Sequence, residues 1–329
     1  MSMKTLVGAR LSMSDRELTF IREMAVSHVE LNISEEEATV ETLKAAVERF
    51  AAFGITIDLI NCVTLQKNDI IDLNLTEKNG QPASRDEEIR RFKNLVKVAA
   101  EAGIHIISVA WQPTGVKRTG FEVGEQTRGG IASFVELNEI LARPNDYEQS
   151  FTADEIWDNF AYFLREVTPT LKECGSKIAL HPNDPPIPML CGIPSLVWNM
   201  DCYRKAISLD PEGVLGIKLC VGCWLEGGDQ FGDILSDIKE LAEQDRILLV
   251  HFRNVSSTLP NFQETLAEDG YADMYAIMKQ LIVCGYEGLI YVDHVFDEPL
   301  YKHDPLIPFA YPTGYMKGLM HAIEQELKG

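Results

Sequence analysis

The sequence predicts an α/β chain closed into a (β/α)8 TIM barrel, and three observations carry that prediction. A helix-period segment that ends on a glycine and enters a short β-branched run recurs at 51–60, 102–111, 173–182 and 284–294. Eight candidate strands can be marked, at 4–9, 28–33, 55–62, 104–111, 177–181, 215–220, 246–252 and 288–293, with helical patterns between them. Their apolar runs are continuous rather than alternating, as in a parallel sheet covered on both faces. Eight strand–helix repeats make a barrel. A doubly wound sheet is the alternative, but no Gly-x-Gly-x-x-Gly follows the first strand.

Each element has a local reason. Ser14 and Asp15 open the first helix, whose apolar face carries Leu18, Phe20 and Ile21. Leu43, Ala46, Val47 and Phe50 repeat at helical spacing in the second. The third opens near Asp86 and carries Ile89, Phe92, Leu95, Val96 and Ala99. After the fourth strand the periodicity dissolves over 112–150, leaving a weak helix at 136–147, so this stretch is expected to be an inserted loop or lid. Thr152 and Glu155 form a capping-box pair that starts the longest helix, ending near Cys174. A glycine closing each helix, at Gly54, Gly103, Gly175 and Gly285, is the expected C-terminal stop. One domain is expected over residues 1–329.

Composition narrows the function. The chain has 329 residues, 46% hydrophobic and 24% charged, enough to bury a large core. Thirty Lys and Arg against fifty Asp and Glu leave a formal charge of −20. That field repels phosphate backbones and anionic lipid, which excludes nucleic-acid and membrane-surface roles. A small anionic substrate is still allowed, because one local cation reverses the sign in a cleft. Seven cysteines, several inside apolar runs (Cys62, Cys174, Cys284), suit a reducing compartment rather than a disulfide framework. With no signal-like segment and no apolar stretch of membrane length, the expected location is the cytoplasm.

The last four strands end in chemistry. His181, Cys220, His251 and Asp293 stand at corresponding positions of strands five to eight, 39, 31 and 42 residues apart. Strand C-termini of a barrel converge on one face, so the four side chains are expected to meet there. Two imidazoles, a thiolate and a carboxylate form a complete divalent-metal set. Any one of them alone is commonly a packed residue; four in register are hard to explain by packing. Cys220 and Cys223 also form a CxxC pair, but no second pair follows and a structural zinc site is not expected.

These residues sit in longer phrases. HPNDPP at 181–186, LCVG at 219–222, HFRNV at 251–255, DGYADMYAIMK at 269–279 and DHV at 293–295 resemble the mannonate dehydratase family of xylose-isomerase-like barrels. So do PASRDEEI at 82–89, AWQPTGVKRTG at 110–120 and WDNFAYFLREVTP at 157–169. The resemblance implies a hydro-lyase converting D-mannonate to 2-keto-3-deoxy-D-gluconate and water. It implies Mn2+ on the four strand-end residues, with Fe2+, Co2+ or Zn2+ as other occupants and no organic cofactor. It further implies His294 and Tyr311 as catalytic residues and a homo-oligomer. Arg253 and Asn254, just past a ligand, and Arg118 and Arg10 are the substrate-binding candidates. Two departures stand out: Asn183 replaces an Asp, and Gly8-Ala9-Arg10-Leu11 lacks the family's Trp-Tyr pair, which bears on substrate fit. The rivals are a metal-dependent sugar isomerase or epimerase on the same barrel, a metallo-phosphodiesterase, and a non-catalytic sugar-acid-binding protein. Several carboxylate ligands would favour an isomerase; a thiolate does not.

Overall fold

A computed structural model of the chain describes residues 3–296, 304 and 306–329. The barrel strands are β1 (Lys4–Arg10), β2 (His28–Ile33), β3 (Thr56–Cys62), β4 (Ile106–Ala110), β5 (Lys177–His181), β6 (Leu215–Cys220), β7 (Ile247–His251) and β8 (Leu289–Tyr291). They pair in sequence order, all parallel, and β8 closes on β1. The principal helices are α1 (Asp15–Glu23), α2 (Val40–Ala52), α3 (Arg85–Glu101), α4 (Ala153–Glu173), α5 (Met200–Ser208), α6 (Ile234–Glu243), α7 (Met274–Val283) and α8 (Ile307–Glu326). One follows each strand. The (β/α)8 barrel expected from the repeats is the fold.

Local chemistry sets the boundaries. Ser14 and Thr152 each accept from the backbone N–H three residues on, while Glu17 and Glu155 reach back to the cap. Gly54, Gly103, Gly175 and Gly285 all take positive φ, between 61° and 82°, where a Cβ would be strained. Strand pairing then sets the level of the strand ends. Ala110 pairs with His181, Cys220 with His251, and His251 with Tyr291. The residues chosen for their chemistry therefore lie on one rim.

The 112–150 insertion, expected as a loop or lid, holds regular structure: Gly120–Val123 and Ile131–Glu136 form an antiparallel hairpin, followed by a short helix Leu137–Leu141. The hairpin pairs with Asn261–Thr265, which pairs with Asn254–Val255 beyond β7. Its partner lies over a hundred residues away in sequence, so no local pattern announced it. The eighth strand is also shorter than the expected 288–293, so Asp293 lies two residues beyond its end. Among the described residues, no helix is long and apolar enough to cross a membrane.

Candidate metal centre and its carboxylate layer

The donor atoms of His181, Cys220, His251 and Asp293 all lie within 4.8 Å of one another. Bonds of about 2.0–2.3 Å to one ion put donors on opposite sides about 4.4 Å apart, so the group fits a single metal. The His181 Nδ1–H donates to the Pro182 carbonyl at 2.7 Å, which leaves Nε2 as the free lone pair. Neither ring nitrogen of buried His251 makes a well-aligned hydrogen bond, so the ring is free to turn a lone pair toward a cation. The Asp293 carboxylate is 3.2 Å from His251 Nδ1. Burial alone would depress the His251 pKa; the Asp293 charge lifts it to about 9. Burial also opposes the Cys220 thiolate, yet the neighbouring Cys223 thiol and the Arg253 charge hold its pKa well below the usual thiol range. A deprotonated sulfur is what a metal needs. The residues present fit a divalent ion.

Beside this set lies a cluster of buried charge. Arg253 and Arg118 fan out among Asp184, Glu226, Glu264 and Asp293. Arg253 donates to Glu264 at 2.9 Å, lies 2.7 Å from Glu226 and 3.2 Å from Asp184, and has its Nε 3.4 Å from Asp293. Arg118 pairs with Asp184 through both terminal nitrogens and with Glu264 at 3.0 Å. Asp184, Cys223 and Glu226 also lie close enough together to hold an ion. Two guanidinium groups already supply the positive charge there, and a further cation would face both. Burial and the surrounding carboxylates push Glu226 well above the ordinary carboxylic pKa. The layer is an ion-pair support.

His294 projects from the chain beside Asp293, its side chain 35% exposed. Its Nδ1 is 2.8 Å from Glu264 Oε1, and its Nε2 is 3.4 Å from Asp293. A carboxylate only accepts, so the close Glu264 contact puts a proton on Nδ1, and the longer Asp293 contact leaves Nε2 as the nitrogen that can gain or lose one. Burial would lower the His294 pKa, but the charges of Asp293 and Glu264 raise it. The cavity above the donor set measures about 230 Å3 and is lined by His181, His251, Asp293, His294, Tyr291 and Lys67 among others.

Several candidates occupy other places. Arg253 and Arg118 were expected at the substrate; Arg253 is buried, the Arg118 side chain is 8% exposed, and both are spent on carboxylates brought by the strand Asn261–Thr265 and the 181–186 segment. The Asn254 amide is also internal: it donates to the Ala267 and Ala272 carbonyls and accepts from Val255 N–H, so it shapes the turn after β7. Arg10 is exposed at the end of β1, 4.0 Å from Glu17, and does not line the cavity. Tyr311 is 53% exposed on α8, where its hydroxyl joins Arg128 and Glu268. One continuous helix over Ile307–Glu326 turns it toward the hairpin instead of the donor set. The phenol in the cavity wall is Tyr291. Asn183 is buried and bonds Trp111 O and Val197 N, away from the ligands.

Glu264, Glu226, Lys67 and the buried Lys218–Glu30 pair at 2.8 Å escaped the sequence reading. For the last pair a signal existed at Lys218, which interrupts the otherwise apolar strand Leu215–Cys220 and so needs an internal partner.

Comparison with known proteins agrees with the motifs. The D-mannonate dehydratase family model matches residues 26–328. The mannonate dehydratase of Lactococcus lactis subsp. lactis is 29% identical, with 87% of each chain covered. Mannonate dehydratase 1 of Halalkalibacterium halodurans is 29% identical over 75% of this chain and 77% of its own. In fold, a mannonate dehydratase from Streptococcus suis superposes with a TM-score of 0.85 at 21% identity, covering 99% of this chain and 96% of its own. A D-psicose 3-epimerase from Clostridium cellulolyticum superposes at 0.62 with 11% identity, covering 98% and 99%.

Proposed function

This chain belongs to the D-mannonate dehydratase family and is a hydro-lyase; from that premise we propose that it dehydrates D-mannonate to 2-keto-3-deoxy-D-gluconate. The observation that carries the reading is the convergence of His181, Cys220, His251 and Asp293 on one cavity with His294 at its wall. We assign Mn2+ to the four donors, with Fe2+, Co2+ or Zn2+ as competitors. Held by His181, Cys220, His251 and Asp293, such an ion would supply Lewis acidity for negative charge on the substrate carboxylate.

The remaining work falls to the chain. His294 moves a proton between the substrate and its Nε2, either taking it from C2 or delivering it to the departing C3 hydroxyl. Support for this role is its partial exposure to the cavity and the Glu264 contact that fixes the tautomer. Arg253 and Arg118 hold Glu264 in place, so the guanidinium groups act on the substrate only through the layer they neutralise. Loss of water leaves an enol, which tautomerises to the 2-keto-3-deoxy acid. The cytoplasm as location is supported by seven free cysteines. A single domain over the chain and a homo-oligomeric state complete the reading, and sedimentation velocity tests the latter.

The experiment is incubation of Mn2+-loaded protein with D-mannonate. The expected result is a 2-keto-3-deoxy acid. Interconversion of sugars without loss of water would place the protein among the isomerases, and binding without turnover would make it a sugar-acid-binding protein. Replacing Cys220 with Ser should weaken Zn2+ more than Mn2+, because the hydroxyl is the harder donor; parallel metal titrations of wild type and variant check it.

A further inference from the structure

The cavity has two dissimilar halves. Strands β5–β8 carry the donor set, while β2 and β3, across the barrel, carry amides. Asn32 closes one part of that wall and Asn61 the next, with the Asn61 amide donating to Asn32 Oδ1 at 2.8 Å. The Asn61 Oδ1 is buried without a hydrogen-bond partner, an acceptor waiting for a donor. The short helix Val63–Gln66 after β3 then delivers Gln66 and Lys67 to the same wall.

Among the cations around the cavity, Lys67 differs in one respect. Arg118 and Arg253 are neutralised by the carboxylate layer, and Lys218 is neutralised by Glu30. Among the described residues, the Lys67 ammonium has neither a hydrogen bond nor an ion pair, although it is half-buried and lines the cavity. Half-burying an unpaired ammonium costs solvation energy that folding alone does not recover. An arriving anion recovers it. We propose that Lys67 is the substrate-carboxylate-binding residue of this site, with Asn61 accepting a substrate hydroxyl beside it. The ligand class is a polyhydroxy carboxylate whose carboxylate lies between the donor set and Lys67, facing both across the one cavity that they line. The proposal rests on the sugar-acid reading above, and a binding measurement separates the two.

The test uses metal-loaded full-length protein and calorimetric titration with D-mannonate, alongside Lys67→Met and Lys67→Arg. A charge-assisted contact of this kind is worth about ten- to a hundredfold in affinity. Lys67→Met is expected to weaken D-mannonate binding by at least about tenfold with metal content kept and the thermal midpoint unchanged or raised, and Lys67→Arg to restore most of the binding. Unaltered affinity in Lys67→Met overturns the proposal, as does a loss accompanied by loss of metal, which would make Lys67 structural. Lysine-dependent binding without any 2-keto-3-deoxy product upholds Lys67 and overturns the dehydratase reading. Product formation with Lys67→Met binding like wild type does the reverse. Failure of the wild type to bind D-mannonate overturns both.

Discussion

Asp293 and His294 are adjacent in sequence but are expected to fail differently. Asp293 supplies a donor atom to the four-residue set, whereas His294 faces the cavity and leans on Glu264. Asp293→Asn should lose both bound metal and turnover. His294→Asn should keep the metal and lose about 10²–10⁴ in rate, the usual worth of one general acid or base. Metal analysis beside turnover of each variant checks this, and near-normal turnover of His294→Asn would remove it from the mechanism. Gly222 tests the buried charge beside the donor set. A Cβ there would stand 2.2 Å from the Arg253 Cζ, in a space with no slack. In an ordinary helix Gly→Ala gains about 1 kcal/mol. Here it should instead displace the guanidinium from its carboxylates, and a broken buried pair costs roughly 3–5 kcal/mol. The second magnitude wins, so Gly222→Ala is expected to lower the thermal midpoint and metal occupancy together.

Helices and strands differ in how much of themselves they wrote into the sequence. The caps were legible because they are local: Ser14 with Glu17, Thr152 with Glu155, and glycines at positive φ after four helices. The four donors were legible because barrel geometry converts one βα unit of spacing into spatial coincidence. The four-stranded sheet over the rim was not, since Phe134 pairs with Gln263 and short-range periodicity holds no record of such a partner. For the same reason Arg118 and Arg253 read as substrate-binding charges: a charged residue does not announce a carboxylate that arrives from a distant strand. The short helix Asp69–Leu73 carries a further consequence of burial. Asp72 is buried with Oδ2 unpartnered, and burial, helped by the nearby Asp69 charge, raises its pKa well above the ordinary value. A carboxyl with a raised folded pKa is harmless below its unfolded value near 4 and costs stability as pH rises above it. Asp72→Asn should therefore be more stable than wild type at pH 7, with the difference shrinking toward pH 4. Thermal midpoints across that range check the sign, and a constant difference would show that ionisation is not its source.

At the scale of the whole molecule, the active rim is assembled from segments far apart in the chain, and Tyr311 belongs to that assembly. Its hydroxyl accepts from Arg128 at 3.0 Å and donates to Glu268, while Arg128 also pairs with Asp269. The hairpin after β4, the turn before α7 and the C-terminal helix α8 are thus tied at one point outside the cavity. Arg128 sits at φ 52°, a left-handed conformation that a non-glycine side chain keeps only when its contacts compensate. The family resemblance implied a catalytic tyrosine here, but a phenol engaged with this exposed cluster is not aimed at the donor set. Tyr311→Phe is therefore expected to keep its metal and to turn over within about threefold of wild type, far from the 10²–10⁴ loss of a true proton carrier. The tie itself is exposed, so its removal should cost no more than about 1 kcal/mol. Faster hydrogen exchange in the 120–136 hairpin and at the start of α8, with β5–β7 unchanged, would be its signature. A rate loss of a hundredfold or more, with metal retained and the hairpin still protected, would return Tyr311 to the chemistry and require α8 to swing inward when substrate binds.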